Sequence, residues 1–360
     1  IMGTGSPGGE QGFNIGRATA VLAGLGDVPG TTVNRYCSSS LQTIRMAAHA
    51  IKAGEGDAFI AAGVECVSRY GKGNADSLPD TANPIFKAPG ERSKVRAEGG
   101  HGDWAPAEGL PDLFIAMGQT AENVAELKGV SREAMDEYGV LSQNKAEAAI
   151  SRGFFEMDIT PVTMPDGTVV STDDGPRAGV TLEAVSQLKP AFRPDGRVTA
   201  GNACPLNDGA AAVVVMSRKR AEELGITPLA RIIASSVSAL NPEIMGLGPI
   251  EAIKRVLARA DMSMSDIDLV EINEAFAAQV IPSADELGID MVDQLNVNGG
   301  AIALGHPFGQ TGARIMTTLL NGLEDSDKTF GLESMCVGGG QGISYWTVGK
   351  VAYRLFRRVI

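Results

Sequence analysis

The same order of strands and helices occurs twice along this chain, and this repetition constrains its fold more than any other feature. In the first half, the sequence predicts a turn, then a helix that begins near Cys37, then a short apolar strand at residues 57–65. The apolar run at residues 208–216 suits a second, buried strand. Alternation of strands and helices predicts an α/β fold.

The second half shows a comparable series. Strands are predicted near residues 229–237 and 268–272, and helices near residues 249–260 and from about Ala275. A later helix leads into a strand that enters Met335. The two halves have few matching residues, but their strands and helices follow the same order, so we expect an internal duplication. Alternation of strands and helices alone would produce part of this likeness.

The chain between the two strands of the first half has a different character. Residues 70–112 are rich in Gly, Pro, Asp, Asn and Lys with few periodic apolar residues, and helical spacing returns at residues 117–128 and 131–153. A chain of 360 residues exceeds what one core usually serves, so we expect two packed units. The long irregular excursion predicts an inserted region with a functional role.

The charge balance narrows the choice of partners. With 31 basic and 43 acidic residues the net charge is -12, which disfavours nucleic acid or an anionic membrane. The cysteines Cys37, Cys66, Cys204 and Cys336 are too scattered for a disulfide scaffold and lack metal-ligand spacing. The sequence shows neither a signal segment nor a membrane-spanning run, so we expect a cytoplasmic protein without a bound metal.

Two cysteines stand at positions that suit a catalytic thiol. Cys37 stands at the first turn of a predicted helix, where free backbone N–H groups and the helix dipole favour a thiolate. Cys336 ends an apolar strand before a glycine-rich turn, whose backbone can approach a ligand closely. The alternative is that each cysteine is a small apolar core residue.

Two further polar residues stand where strands give way to helices. Asn273 follows the predicted strand at 267–272, in a position that is also a common helix cap. His306, one of three histidines, precedes Pro307, which suits the first position of a helix. A lone loop histidine is more often a surface residue. Taken together, however, four such residues at strand ends favour a single catalytic site.

These segments together resemble the thiolase family. Four of them stand in the family's order: VNRYCSSSLQ around Cys37, NEAFA from Asn273, NVNGGAIALGHPFG around His306, and CVGGGQG from Cys336. The resemblance extends to residues 117–123, 199–202, 206–211 and 245–249, so it covers nearly the whole chain.

The resemblance implies a thiolase-like fold, in which two duplicated βαβαβαββ halves form αβαβα layers and a loop domain is inserted in the first half. Residues 1–66 and 207–227 would form the N-terminal half, residues 67–206 the loop domain, and residues 228–360 the C-terminal half. The family's opening β-α unit has no counterpart before Gly3, so we expect this half to be incomplete at its start, with a core face exposed.

The resemblance also assigns catalytic roles. Cys37 would attack the 3-keto carbon and carry the acyl group, and His306 would take its proton near neutral pH and donate to an oxyanion. Asn273 would hold a water at that oxyanion, and Cys336 would act as acid and base. The backbone N–H groups of Gly338 and Cys37 would hold the oxyanion of the second half-reaction.

These roles imply an acyltransferase that cleaves 3-ketoacyl-CoA thiolytically to acetyl-CoA and a shortened acyl-CoA, with coenzyme A as co-substrate and no bound cofactor. A homodimer or homotetramer is implied as well. The segment around Cys37 and residues 115–118 look closer to the degradative thiolases of fatty-acid beta-oxidation. Two alternatives stay open: a biosynthetic acetoacetyl-CoA thiolase, and a ketoacyl-synthase-like enzyme, which would use a histidine or asparagine in place of Cys336.

The substrate path is implied by residues that match the family: Met117, Cys204, Met245 and Phe276. Cys204-Pro205 stands where the family often has a serine, and Ser40 stands where it commonly has glycine. A thiol and a proline make the path less polar. We therefore expect kcat/KM to be higher for medium or longer 3-ketoacyl-CoA than for acetoacetyl-CoA, with residues 70–112 setting the limit.

Overall fold

The computed structural model describes residues 1–69 and 83–349. The strands are β1 (Met2–Gly3), β2 (Thr32–Val33), β3 (Ala58–Cys66), β4 (Val162–Thr163), β5 (Val169–Val170), β6 (Asp208–Met216), β7 (Ala230–Ala239), β8 (Leu269–Ile272), β9 (Phe330–Val337) and β10 (Gln341–Gly349). The α-helices are α1 (Ile15–Leu22), α2 (Ser39–Ala53), α3 (Lys87–Ala97), α4 (Met117–Lys128), α5 (Arg132–Ser151), α6 (Leu182–Ser186), α7 (Arg218–Glu223), α8 (Gly248–Ala260), α9 (Ala277–Leu287), α10 (Ala301–Leu304) and α11 (Thr311–Asp325). Short 3-10 helices span Gly9–Gly12, Tyr36–Ser38, Pro84–Phe86, Phe154–Met157, Pro242–Leu247 and Met264–Asp266.

Two four-stranded sheets carry the fold. Their strand orders are β2-β1-β3-β6 and β7-β10-β9-β8, and β4 and β5 form a separate hairpin. In the first sheet β1 and β3 are parallel and β6 runs antiparallel to β3; in the second, β8 and β9 are parallel and β10 runs antiparallel to β9. Because both sheets repeat this arrangement, the structure shows the duplicated α/β architecture predicted from the order of elements.

Helices α2 and α11 pack against each other and contact strands of both sheets. Leu41 and Ile44 of α2 and Ile315 of α11 are almost fully buried in one apolar cluster, and each such side chain stabilises the fold by about 1.5–3 kcal/mol. Gly312 permits the close approach, since a Cβ there would lie 2.6 Å from the Leu41 Cβ. This contact brings the chain before α2, which contains Cys37, to the chain before α11, which contains His306.

The structure corrects several details of the predicted elements. Helices α1 and α3 were not predicted: α1 buries none of its residues, and α3 buries only Pro89 and lacks the periodic apolar residues of a packed helix. Pro307 does not begin a helix: α11 begins at Thr311, after a turn in which the Pro307 carbonyl accepts the N–H groups of Gln310 and Thr311. The parts of our predictions that concern residues 70–82 and 350–360 lie outside the described residues.

Candidate active site

Cys37 lies in the short 3-10 turn that leads into α2, and it is buried. Tyr36 adopts a left-handed conformation with φ 45°, which is strained for a non-glycine residue. Side chains hold this turn in place: the Tyr36 N–H donates to Asn34 Oδ1 at 2.7 Å, and the Ser39 hydroxyl donates to the Tyr36 carbonyl at 2.7 Å. The turn therefore presents the Cys37 thiol in a defined position.

Two backbone N–H groups, those of Cys37 and Gly338, point at the Cys37 sulfur and favour its thiolate. Burial outweighs them and raises the pKa of Cys37 to about 11, and the nearby carboxylate of Glu65 acts in the same direction. Our expectation that the helix start yields a thiolate is therefore wrong for the unliganded protein. A thiol at rest must lose its proton to a base when it attacks.

His306 is buried and held in one tautomer by the start of α11. Its Nδ1 lies 2.7 Å from Thr311 Oγ1, and the Thr311 hydroxyl donates its own proton to the Pro307 carbonyl at 2.9 Å. Thr311 can therefore only accept from Nδ1, so Nδ1 carries the proton and Nε2 carries none and presents its lone pair as an acceptor. Nε2 is the atom available to receive a proton from a thiol.

Burial lowers the pKa of His306 to about 3, and the Arg314 guanidinium contributes in the same direction. The imidazole is therefore neutral at physiological pH, and our picture of a loop histidine that titrates near neutrality is wrong. The backbone also positions the ring, since the His306 N–H donates to Asn207 Oδ1 at 3.1 Å. Gly305, with φ +89°, permits this contact, because a Cβ there would lie 2.6 Å from the same oxygen.

Asn273 follows β8 and does not cap a helix, since α9 begins at Ala277 with Phe276 at its cap. Its Nδ2 lies 3.3 Å from His306 Nε2 and donates to it. Its Oδ1 is buried and has no hydrogen-bond donor among the described residues. The amide thus stands beside the basic nitrogen with one acceptor unfilled.

Cys336 lies near the end of β9 and is fully buried. Burial raises its pKa well above the usual value, and the neighbouring thiols of Cys37 and Cys204 raise it further. The turn after it uses left-handed glycines at 339 and 340, and a Cβ on Gly340 would clash with the Leu240 carbonyl. The same turn brings the Gly338 N–H to Cys37, so the two cysteine segments form one site.

The predicted substrate residues surround this site. Met245 and Phe276 belong to the same apolar cluster as Cys336, and Met117 packs against it. The Cys204 N–H donates to the Ala275 carbonyl at 3.1 Å, next to the bridge between Ala203 and Phe276. The thiols of Cys37, Cys204 and Cys336 lie close enough to interact, the Gly338 N–H reaches Cys37, and Asn273 hydrogen-bonds to His306. The catalytic and substrate-binding roles of the nine residues named from sequence stay predictions.

Two residues at the site were missed from the sequence. One is Thr311, which sets the His306 tautomer. The other is Glu65, a buried carboxylate at the end of β3 that accepts the N–H groups of Gly5 at 2.7 Å and Gly309 at 2.8 Å. Since the Gly309 carbonyl accepts the Ser40 N–H at 3.1 Å, Glu65 connects the His306 turn with the start of α2. The sequence feature that could have revealed Glu65 is an acidic residue at the end of an apolar strand.

Two features are absent from residues 1–69 and 83–349. These residues contain no helix that is long and apolar enough to cross a membrane. In the same ranges, no group of three or more His, Cys, Asp or Glu side chains could hold a metal ion.

Comparison with known proteins identifies the family. Residues 1–219 match the family described as "Thiolase, N-terminal domain", and residues 226–348 match "Thiolase, C-terminal domain". The chain therefore belongs to the thiolase family and is an acyltransferase.

Named relatives carry different activities. The chain is 44% identical to a beta-ketoadipyl-CoA thiolase of Acinetobacter baylyi (96% of this chain, 86% of the relative) and 45% identical to an acetyl-CoA acetyltransferase of Cupriavidus necator (93% and 83%). It is 41% identical to a 3-ketoacyl-CoA thiolase of Bacillus subtilis (95% and 85%). Among solved structures, the dimeric peroxisomal thiolase of Saccharomyces cerevisiae superimposes with a TM-score of 0.85 at 36% identity, over 97% of this chain and 84% of that one.

Proposed function

We propose that this protein is a degradative thiolase that cleaves 3-ketoacyl-CoA with coenzyme A, releasing acetyl-CoA and an acyl-CoA two carbons shorter. The observation that carries the proposal is the shared position of two buried thiols, Cys37 and Cys336, with the Gly338 N–H directed at Cys37, together with a neutral His306 whose Nε2 carries no proton. A thiolate is both a good nucleophile and a good leaving group, which this reaction needs.

In the first half-reaction, the Cys37 sulfur attacks the 3-keto carbon while its proton moves to His306 Nε2. Once protonated, Nε2–H is a donor, so the same atom can stabilise the oxygen of the departing enolate together with a water held by Asn273. The bond between C2 and C3 breaks, the acyl group stays on Cys37, and Cys336 gives its proton to C2 of acetyl-CoA.

In the second half-reaction, the Cys336 thiolate takes the proton of the incoming CoA thiol. The CoA sulfur attacks the acyl-enzyme, and the N–H groups of Cys37 and Gly338 hold the oxyanion. These N–H groups already converge on the Cys37 sulfur, which supports this assignment. The Cys37 thiolate leaves and recovers its proton from His306.

The experiment is a thiolysis assay that follows loss of the magnesium–3-ketoacyl-CoA enolate absorbance when CoA is added. We expect turnover by the wild type and none by Cys37→Ala, because covalent catalysis cannot be shared among the other groups. Acid quench and peptide mapping should place the acyl adduct on Cys37. An adduct on Cys66, Cys204 or Cys336 with Cys37 unmodified would refute the assignment.

A biosynthetic thiolase that condenses two acetyl-CoA is the second candidate, and the relative named acetyl-CoA acetyltransferase favours it. Initial rates against chain length separate the two. The degradative proposal expects kcat/KM to rise from acetoacetyl-CoA to longer chains, by about three- to fourfold for each buried methylene. A maximum at acetoacetyl-CoA with collapse by six carbons would favour the biosynthetic candidate. The ketoacyl-synthase alternative lacks support, since Cys336 stands where a histidine or asparagine would be needed.

We also propose that the protein is a homodimer or homotetramer, in line with the S. cerevisiae relative that is described as dimeric. Light scattering on the purified protein tests this assembly. The four cysteines are free in the structure, which favours a reducing compartment such as the cytoplasm.

A further inference from the structure

Gln279 is a fully buried amide in the first turn of helix α9, outside the set of residues named from the sequence. Its Nε2 donates to the Asn273 carbonyl at 2.7 Å, a contact between residues six apart in the chain. Its Oε1 is buried and has no hydrogen-bond donor within residues 1–69 and 83–349. A buried acceptor without a donor is costly and uncommon in native proteins, so its presence needs a physical reason.

The position of Gln279 in the helix predicts a different contact from the one that it makes. Phe276 caps α9, so Gln279 is the third residue of the helix. A glutamine at this position commonly accepts the backbone N–H of the capping residue. Because the Gln279 Oε1 has no donor, it does not accept that N–H. The amide is instead directed at Asn273, the residue that follows β8.

Asn273 is thereby held at both of its backbone polar groups. Its N–H donates to the Ser334 carbonyl at 3.1 Å, on the strand β9 that contains Cys336. Its carbonyl accepts the Gln279 amide, and its own Nδ2 lies 3.3 Å from His306 Nε2. The bond from Gln279 comes from a side chain, so a substitution can remove it without a change in the main chain.

Packing fixes the other end of the Gln279 side chain. A Cβ on Gly246 would lie 2.7 Å from the Gln279 Cβ, so this glycine lets the 3-10 helix Pro242–Leu247 pack directly on α9. One turn later in α9, the Ser283 hydroxyl donates to the Gln279 carbonyl at 2.7 Å. The base of the side chain is therefore packed, and the hydrogen bond to Asn273 fixes its tip.

We propose that Gln279 is a positioning residue, which orients Asn273 so that the Asn273 amide holds the water at the enolate oxygen. This inference rests on the proposed thiolytic function. In that reaction, formation of the acetyl-CoA enolate depends on Asn273 and His306. Acyl transfer depends instead on the N–H groups of Cys37 and Gly338, which hold its oxyanion. Loss of the Gln279 contact should therefore slow enolate formation and spare acyl transfer.

The test measures these two steps separately. Exchange of the C2 protons of acetyl-CoA with D2O reports enolate formation, and exchange of labelled CoA into acyl-CoA reports acyl transfer through Cys37. Methionine has nearly the volume of glutamine but cannot donate. We expect Gln279→Met to slow proton exchange by about 10- to 100-fold, because small displacements of a catalytic group have effects of this size. Exchange of CoA should stay within twofold of the wild type.

Equal loss of both exchange rates in Gln279→Met overturns the inference, because the residue would then be structural. Proton exchange within twofold of the wild type also overturns it. Ser283→Ala is the matched control, since it removes another buried hydrogen bond of α9 and leaves the Asn273 contact in place. Both of its rates should stay within twofold, and a selective loss of proton exchange in this control overturns the inference. Absence of both exchanges in the wild type would refute the proposed function instead.

Gln279→Glu provides a second measurement, which decides the matter if Gln279→Met does not fold. A buried carboxyl group keeps its proton to a higher pH than an exposed one, and its protonated form can donate to the Asn273 carbonyl. The rate of proton exchange, relative to the wild type at the same pH, should therefore recover as the pH falls from 9 to 6. A ratio that does not change with pH overturns the inference.

Discussion

The tautomer of His306 depends on one hydroxyl, so Thr311→Val tests the acid–base assignment directly. In the wild type, Thr311 accepts the Nδ1 proton because its own proton goes to the Pro307 carbonyl. Valine has nearly the same volume and shape but cannot accept. The Nδ1–H of the variant would be buried without a partner, at a cost of about 1–3 kcal/mol.

The ring can avoid this cost by moving its proton to Nε2. The Asn273 Oδ1 has no hydrogen-bond donor among the described residues. After rotation of the amide it would accept a hydrogen bond from the new Nε2–H. A difference of about 1–3 kcal/mol shifts the tautomer ratio by roughly 5- to 150-fold. Since only a bare Nε2 can take the Cys37 proton, we expect acylation to slow by about the same factor.

The assay is rapid-quench acylation of Cys37 by acyl-CoA, with ¹⁵N NMR of labelled histidine to observe the tautomer. Thr311→Ser keeps the hydroxyl and is the matched control, expected to acylate at close to the wild-type rate with Nδ1 protonated. Thermal melts verify that both variants are folded. Acylation of Thr311→Val within twofold of the wild type, or slowing with an unchanged tautomer, would refute the reasoning.

Three further predictions follow from the site. Cys336→Ser should cripple thiolysis of 3-ketoacyl-CoA but spare acyl transfer from acyl-CoA to Cys37, and normal thiolysis would make Cys336 structural. Glu65 Oε2 accepts the N–H groups of Gly5 and Gly309, and Oε1 accepts the N–H of Ser6. Glu65→Gln keeps only one of the two oxygens and so leaves at least one of these backbone N–H groups unpaired; unfolding by denaturant should show a loss of about 1–3 kcal/mol together with slower acylation, and an unchanged unfolding midpoint would contradict this. Because burial raises the pKa of Cys37 to about 11, its alkylation by iodoacetamide in the unliganded protein should keep rising between pH 8 and 10, and a plateau below pH 8 would show a thiolate at rest.

Much of the site could be predicted from the sequence because its chemistry is encoded locally. Cys37, Asn273 and Cys336 each stand at an end of a strand or helix, and their occurrence together with His306 favoured one site, to which the family resemblance added the roles. The glycines after Cys336 also predicted a tight turn there. Gly339 and Gly340 adopt left-handed backbone conformations in that turn, which glycine adopts more readily than other residues. Helix α3 escaped prediction because it buries only Pro89.

The sequence by itself determined the duplicated α/β fold and the family of the catalytic residues, because alternating apolar segments and short motifs are properties of neighbouring residues. Only the tertiary structure decided their protonation states. The Cys37 thiol and the His306 imidazole are both neutral at rest because remote elements remove them from water. The His306 tautomer likewise depends on Thr311, whose hydroxyl is committed to the Pro307 carbonyl by a turn that sequence patterns placed inside a helix. Burial and hydrogen-bond direction depend on what the whole chain packs around a residue, and no local pattern contains that information.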